Sequence, residues 1–130
     1  MRIIRGRESD TPSQKRSDTF TGGVWGDNVL KATDGALVNN VFFEPRGRTH
    51  WHRHERGQLL VVSAGSGHVR SRDGSGDAIR AGDVVWIPPG TKHWQGAAPT
   101  TAMTHIAIQE ALDGKTVDWM EKVSDEQYGR

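Results

Sequence analysis

The sequence predicts an all-β domain, a jelly-roll sandwich or barrel with one short C-terminal helix, and three observations carry that prediction. Short apolar or alternating runs recur from about residue 20 to residue 110. They are separated at close, regular intervals by turn signals such as Asp34-Gly35, Asp73-Gly74-Ser75-Gly76 and Pro88-Pro89-Gly90. Glycine occurs 16 times, which is costly in helix interiors and useful in turns between strands. At 130 residues the chain suits one core and is too short for two, and no internal repeat points to a duplicated barrel.

In chain order, residues 1–19 are polar and aperiodic, and read as an arm that is disordered alone or pairs with another subunit. Residues 20–130 form the domain. In ALVNNVFF, Asn39, Val41 and Phe43 share one face, and Val38, Asn40 and Phe42 the other. HWHRH, QLLVVSA, HVRS, DAIR, VVWI and KHWQG follow as short strands. In the last run, TTAMTHIAIQE, Met103, His105, Ala107 and Gln109 alternate with Ala102, Thr104, Ile106 and Ile108. Both faces are mixed, so hydrophobicity does not decide which one points inward. In the tail Val117, Trp119, Met120 and Val123 recur at roughly helical spacing, which predicts a short helix with an apolar stripe against the barrel. Trp86 and Trp94 read as core.

The charge balance excludes several classes of function. Against 17 Lys and Arg stand 16 Asp and Glu, interleaved along the chain for a net charge of +1. That distribution leaves no basic stripe for nucleic acid and no polybasic patch for a membrane surface. With no cysteine, disulfide frameworks and thiolate-held metals are excluded. No apolar run near the start is long enough for a signal-peptide core, which predicts a cytoplasmic protein without membrane insertion.

Chemistry concentrates in the histidines, six in all. His50, His52 and His54 occupy alternate positions, and in a strand His52 and His54 present two imidazoles to one face. A helix would pair His50 with His54 instead, but Pro45, Gly47 and Gly57 bracket the segment and its flanks are strand-like. A turn at Arg56-Gly57 can fold Gln58 beside the pair, and His93 follows the Pro88-Pro89-Gly90 turn. Trp51, between two of the histidines, must point the other way, to pack under a second sheet or at a subunit contact. His50 lies one pleat further out and reads as a pocket-mouth residue, and His68 as a surface strand position.

These spacings resemble the cupins. The first cupin motif is matched within the span 47–65.

 

Residue by residue, that motif runs His52-Arg53-His54, then three residues, Gln58, then six residues and Gly65. The second cupin motif is matched at every position by Gly82, five residues, Pro88-Pro89-Gly90, two residues and His93, within the span 82–97. Two departures stand out. Arg46 occupies the place of the first motif glycine, with Gly47 following, and Gln58 replaces the usual glutamate ligand. The resemblance implies a single-domain cupin barrel holding one divalent metal through His52, His54, Gln58 and His93. Imidazole suits Zn, Fe, Cu and Ni and, with oxygen ligands, Mn; manganese is the metal expected, with iron, zinc and nickel as alternatives. A neutral amide oxygen leaves the metal's charge uncompensated, which favours Lewis-acid chemistry over oxidation.

Beyond the motifs, GQLLVVSAG, the block HWQGAAPTTAMTHIAIQE and the tail LDGKTVDWM resemble the bacterial manganese-dependent cupin hydroxynitrile lyases, which cleave (R)-mandelonitrile. That resemblance implies manganese, a small-molecule substrate, and His105 and Gln109 inside the barrel with His105 as the acid/base. Asn39, Val41 and Gln95 are expected in the pocket, Gln95 standing where family members carry histidine. Without the resemblance, His105 reads equally well as a core histidine satisfied by a backbone carbonyl. A dioxygenase on Fe or Mn acting on a phenolic substrate and non-catalytic binding of a small molecule are the alternative functions, and a homodimer or homotetramer is the expected assembly.

Overall fold

The computed structural model describes residues 1–5 and 12–130. Its strands are β1 (Gln14–Lys15), β2 (Phe20–Thr21), β3 (Val24–Leu30), β4 (Leu37–Phe43), β5 (Arg48–Thr49) and β6 (His52–Arg53). They continue as β7 (Gln58–Ser71), β8 (Gly76–Arg80), β9 (Val84–Ile87), β10 (His93–Ala97), β11 (Met103–Gln109) and β12 (Asp118–Trp119). All pairings are antiparallel.

The long strand β7 belongs to two sheets. Its first half pairs with β9 and with β11, continuing through β4 and β3 to β1. Its second half pairs with β8 and with β10, which leads to β5 and β2 on one path and to β6 and β12 on another. The junction falls at Gly65, whose φ is 75°. A Cβ there would stand 1.8 Å from the Ala102 carbonyl oxygen, so only glycine lets the strand cross at this point.

Between the sheets lies a core of Val24, Phe43, Leu60, Val62, Met103 and their neighbours. Along β10, His93 and Gln95 alternate with Trp94, which joins Trp51, Val123 and Tyr128 in a second apolar cluster. Trp51 also donates through Nε1 to Gln127 Oε1.

Three sequence expectations change. The expected tail helix is displaced: Asp118–Trp119 is a strand, and the helix α1 is Asp125–Tyr128. Ser124 caps it, with the Ser124 side chain accepting from the Gln127 N–H and the Gln127 side chain accepting from the Ser124 N–H. Apolar recurrence in so short a tail could not separate helix from an extended segment that packs on both sides. Trp86 is 59% exposed, because VVWI is apolar on both faces and Trp86 shares the outer one with Val84. The arm is engaged by its own chain, Gln14 and Lys15 pairing with Gly26 and Trp25 of β3; the part of the arm at residues 6–11 lies outside the described residues. No helix among the described residues is long and apolar enough to cross a membrane.

Arg46 has φ 70°, a left-handed conformation that favours glycine, although the side chain here is large. Its guanidinium lies 5.1 Å from the Tyr128 ring centroid.

Candidate metal centre

Strand register assembles the histidines. His52 of β6 stands opposite His93 of β10 on one side and Trp119 of β12 on the other. The His52 ring centroid is 4.2 Å from that of His93 and 5.0 Å from that of His54. One nitrogen from each of the three lies within 4.8 Å of the others, as close as three ligands of a single ion must come.

Backbone carbonyls fix which nitrogen that is. Nδ1–H of His52 donates to His50 O at 2.9 Å, that of His54 to Thr116 O at 2.7 Å, and that of His93 to Thr91 O at 2.9 Å. Each carbonyl can only accept, so each ring is protonated at Nδ1 and turns a bare Nε2 lone pair inward. His54 Nε2 is buried and has no hydrogen-bond partner among the described residues, a cost that a bound cation would remove. Burial holds the His52 pKa well below 6.5, with the neighbouring His93 and His54 adding to the effect. Burial likewise lowers His54 and takes His93 down to about 4. All three are therefore neutral at pH 7, the form that ligates.

Gln58 enters from the start of β7, after a turn at Gly57 with φ 79° whose N–H donates to His54 O. Its Oε1 lies 3.3 Å from His93 Nε2, and its Nε2 donates to Gln109 Oε1 at 3.2 Å. The donor set of three imidazoles and one amide oxygen, with no water-exposed member, fits a divalent ion of the borderline class.

Beside this cluster is a cavity of about 380 Å³, sufficient for a small aromatic molecule. Of the two faces of β11, the one carrying Met103, His105, Ala107 and Gln109 is buried. His105 is 1% exposed, and neither of its ring nitrogens has a hydrogen-bond partner among the described residues. Burial takes its pKa down to about 4. Asn39 and Val41 of β4, opposite Ala107 and His105 in register, line the same cavity, as does Gln95 of β10. Asn39 Oδ1 and Gln95 Oε1 are buried without partners. His50 is absent from the lining, contrary to its reading as a pocket-mouth residue. The chain leaves the strand between β5 and β6, so the pleat that would have aligned it with His52 is interrupted.

The Cupin domain family matches residues 40–108. The chain belongs to the cupin family. The (R)-mandelonitrile lyase of Granulicella tundricola is 59% identical over 116 residues, covering 88% of each chain. A cupin-like protein of Thermotoga maritima has a structure similar to this cupin with TM-score 0.84 and 37% identity, over 94% of this chain and 95% of that one. The polyketide cyclase RemF of Streptomyces resistomycificus, at TM-score 0.73 and 19% identity over 98% and 91% of the two chains, shares the fold.

Two contributors to this cupin's site were missed in the sequence. Residues Lys15–Phe20 line the cavity where the arm passes from the edge of one sheet to the other, and Trp119 lies against His52 with ring centroids 4.7 Å apart. Neither belongs to a cupin motif. A polar arm and a lone tryptophan give no periodic signal that would place them here.

Proposed function

We propose that this cupin is a metal-dependent hydroxynitrile lyase, cleaving aromatic cyanohydrins such as (R)-mandelonitrile to aldehyde and hydrogen cyanide and catalysing the reverse addition. The observation that carries the reading is the 59% identity to the Granulicella tundricola lyase across most of both chains. The cavity supports it chemically, with a neutral, partnerless imidazole beside a cluster able to hold a cation.

His52, His54, Gln58 and His93 would hold the ion. A divalent cation there supplies Lewis acidity toward the oxygen of the cyanohydrin or aldehyde. His105 accepts the hydroxyl proton at a ring nitrogen, the carbonyl forms as the carbon–carbon bond breaks, and cyanide leaves with the bonding electron pair. Cyanide is the stronger base, and the low proton affinity of buried His105 favours returning the proton to it, giving hydrogen cyanide and a neutral imidazole for the next cycle. Gln109, Asn39 and Gln95 provide polar atoms, and Val41 an apolar wall, around a neutral aromatic substrate.

Manganese is the metal we assign, supported by the resemblance to manganese-dependent lyases and by the neutral oxygen donor; iron, zinc and nickel suit the imidazoles equally. Assembly as a homodimer or homotetramer is supported by exposed apolar side chains on the outer side of the first sheet, Phe42 at 40%, Val84 at 63% and Trp86 at 59%. A cytoplasmic location suits a chain that uses no cysteine for stability. The deciding experiment measures benzaldehyde released from (R)-mandelonitrile by the manganese-loaded protein and by His52→Ala. Loss of activity in the variant and after chelation is expected, and activity that survives both would overturn the mechanism.

A further inference from the structure

We propose that Gln109 is a positioning residue that sets which end of the Gln58 amide faces the metal point, and through it the affinity of the site for a divalent cation. The proposal rests on the metal reading above and concerns a problem that Gln58 creates. A carboxylate offers an oxygen whichever way it turns. An amide has one face that attracts a cation and one that repels it, and the two orientations are nearly isosteric.

The contact with His93, taken alone, would favour the wrong orientation. His93 donates from Nδ1 to Thr91 O, so its Nε2 is an acceptor. Gln58 Oε1, also an acceptor, lies 3.3 Å from that atom. Two lone pairs face each other in a site where Gln58 is 3% and His93 1% exposed, so little water can relieve them. Turning the amide over would give His93 a donor and remove the conflict, and would also point an NH₂ group at the metal position.

The contact that opposes this turn is the bond from Gln58 Nε2 to Gln109 Oε1, 3.2 Å long and buried. With Gln109 oriented as it stands, inverting Gln58 would bring its Oε1 against Gln109 Oε1, replacing a hydrogen bond with a second acceptor pair. Gln109 thus keeps the two acceptors of Gln58 and His93 directed at a common point, where a cation satisfies both.

Manganese affinity of the chelator-stripped protein, followed by the electron paramagnetic resonance signal of free Mn²⁺, tests this without reference to turnover. Removing the acceptor in Gln109→Leu is expected to weaken binding by about tenfold or more, the usual effect of losing a group that orients a ligand. In the Gln58→Glu background the same substitution should cost far less, because a carboxylate needs no orienting. Gln109→Met, which preserves side-chain length, repeats the comparison should the leucine variant fold poorly. Equal losses in both backgrounds would identify a packing effect and overturn the proposal, as would unchanged affinity in Gln109→Leu. Wild-type protein that binds no divalent ion would instead overturn the metal reading itself.

Discussion

Trp119 covers His52: the two residues are paired in register across β12 and β6, and their rings lie 4.7 Å apart at an interplanar angle of 37°. Phe20 meets the indole edge-on, with ring centroids 5.4 Å apart. The indole therefore packs over a histidine of the candidate metal cluster, and its removal has a definite electrostatic consequence. Burial is the largest cause of the low His52 pKa. In Trp119→Ala, water reaches the ring, the pKa moves back toward 6.5, and protons compete more strongly with the metal. Manganese affinity at pH 5.5 relative to pH 7.5 should fall more in Trp119→Ala than in wild type, and an unchanged ratio would show that the indole does not control solvation of His52.

Stability and activity should part at His105. Both of its ring nitrogens are buried without partners, a desolvation cost of about 1–3 kcal/mol that an apolar side chain would not incur. His105→Leu is expected to raise the urea midpoint while lowering cyanohydrin cleavage by roughly 10²–10⁴-fold, the typical contribution of a general acid/base. Retained cleavage would remove His105 from the proton-transfer role.

Metal-free protein should lose stability on mild acidification. Five buried histidines have folded-state pKa values below the ordinary 6.5: His50, His52, His54, His93 at about 4 and His105 at about 4, each chiefly through burial. Between pH 6.5 and about 4 the unfolded chain binds protons that the folded protein does not, so stability falls as pH drops through that window. Thermal unfolding in the presence of a chelator, scanned from pH 7.5 to pH 4, should show a falling midpoint. Saturating manganese at pH 7.5 should raise the midpoint by several degrees, since at a hundredfold excess over its dissociation constant a ligand contributes about 2.7 kcal/mol. A flat pH profile would mean that the histidines are solvated in the folded state.

How far the sequence disclosed this arrangement depended on whether neighbours in sequence became neighbours in space. His52 and His54 could be placed together by period alone, and His93 by the turn before it, because each lies where a motif fixes the backbone. Arg46 is instructive in the opposite sense: its identity breaks the glycine pattern, yet its φ of 70° lies in the left-handed region that favours glycine. The inward face of β11 was not legible from hydrophobicity, since both faces are mixed, and only the family resemblance pointed to His105 and Gln109. In the structure the face that carries them is the buried one. The cover formed by Lys15–Phe20 and Trp119 depends on contacts across long sequence separations, for which a local pattern holds no trace.

The C-terminal segment should prove to be secured by one buried cation. Arg48 is 3% exposed. Its Nη2 donates to Val123 O at 3.1 Å and to Asp125 Oδ1 at 2.8 Å, and its guanidinium carbon lies 4.7 Å from the Tyr128 ring centroid. Tyr128 in turn donates its hydroxyl to Ala97 O, so the guanidinium ties α1 to β5 and β10 at once. Arg48→Met keeps an apolar stem of similar reach but leaves the Val123 carbonyl unpaired and removes the cation–π contact. A loss of about 2–3 kcal/mol in urea unfolding is expected, together with faster amide exchange at Tyr128 and Gly129. Asp125→Asn should be nearly silent by the same measurements, because that carboxylate is open to solvent and Val123 O still receives its donor. If Asp125→Asn destabilised the protein as much as Arg48→Met, the exposed ion pair would be the anchor, and the carbonyl and ring contacts of Arg48 would be secondary.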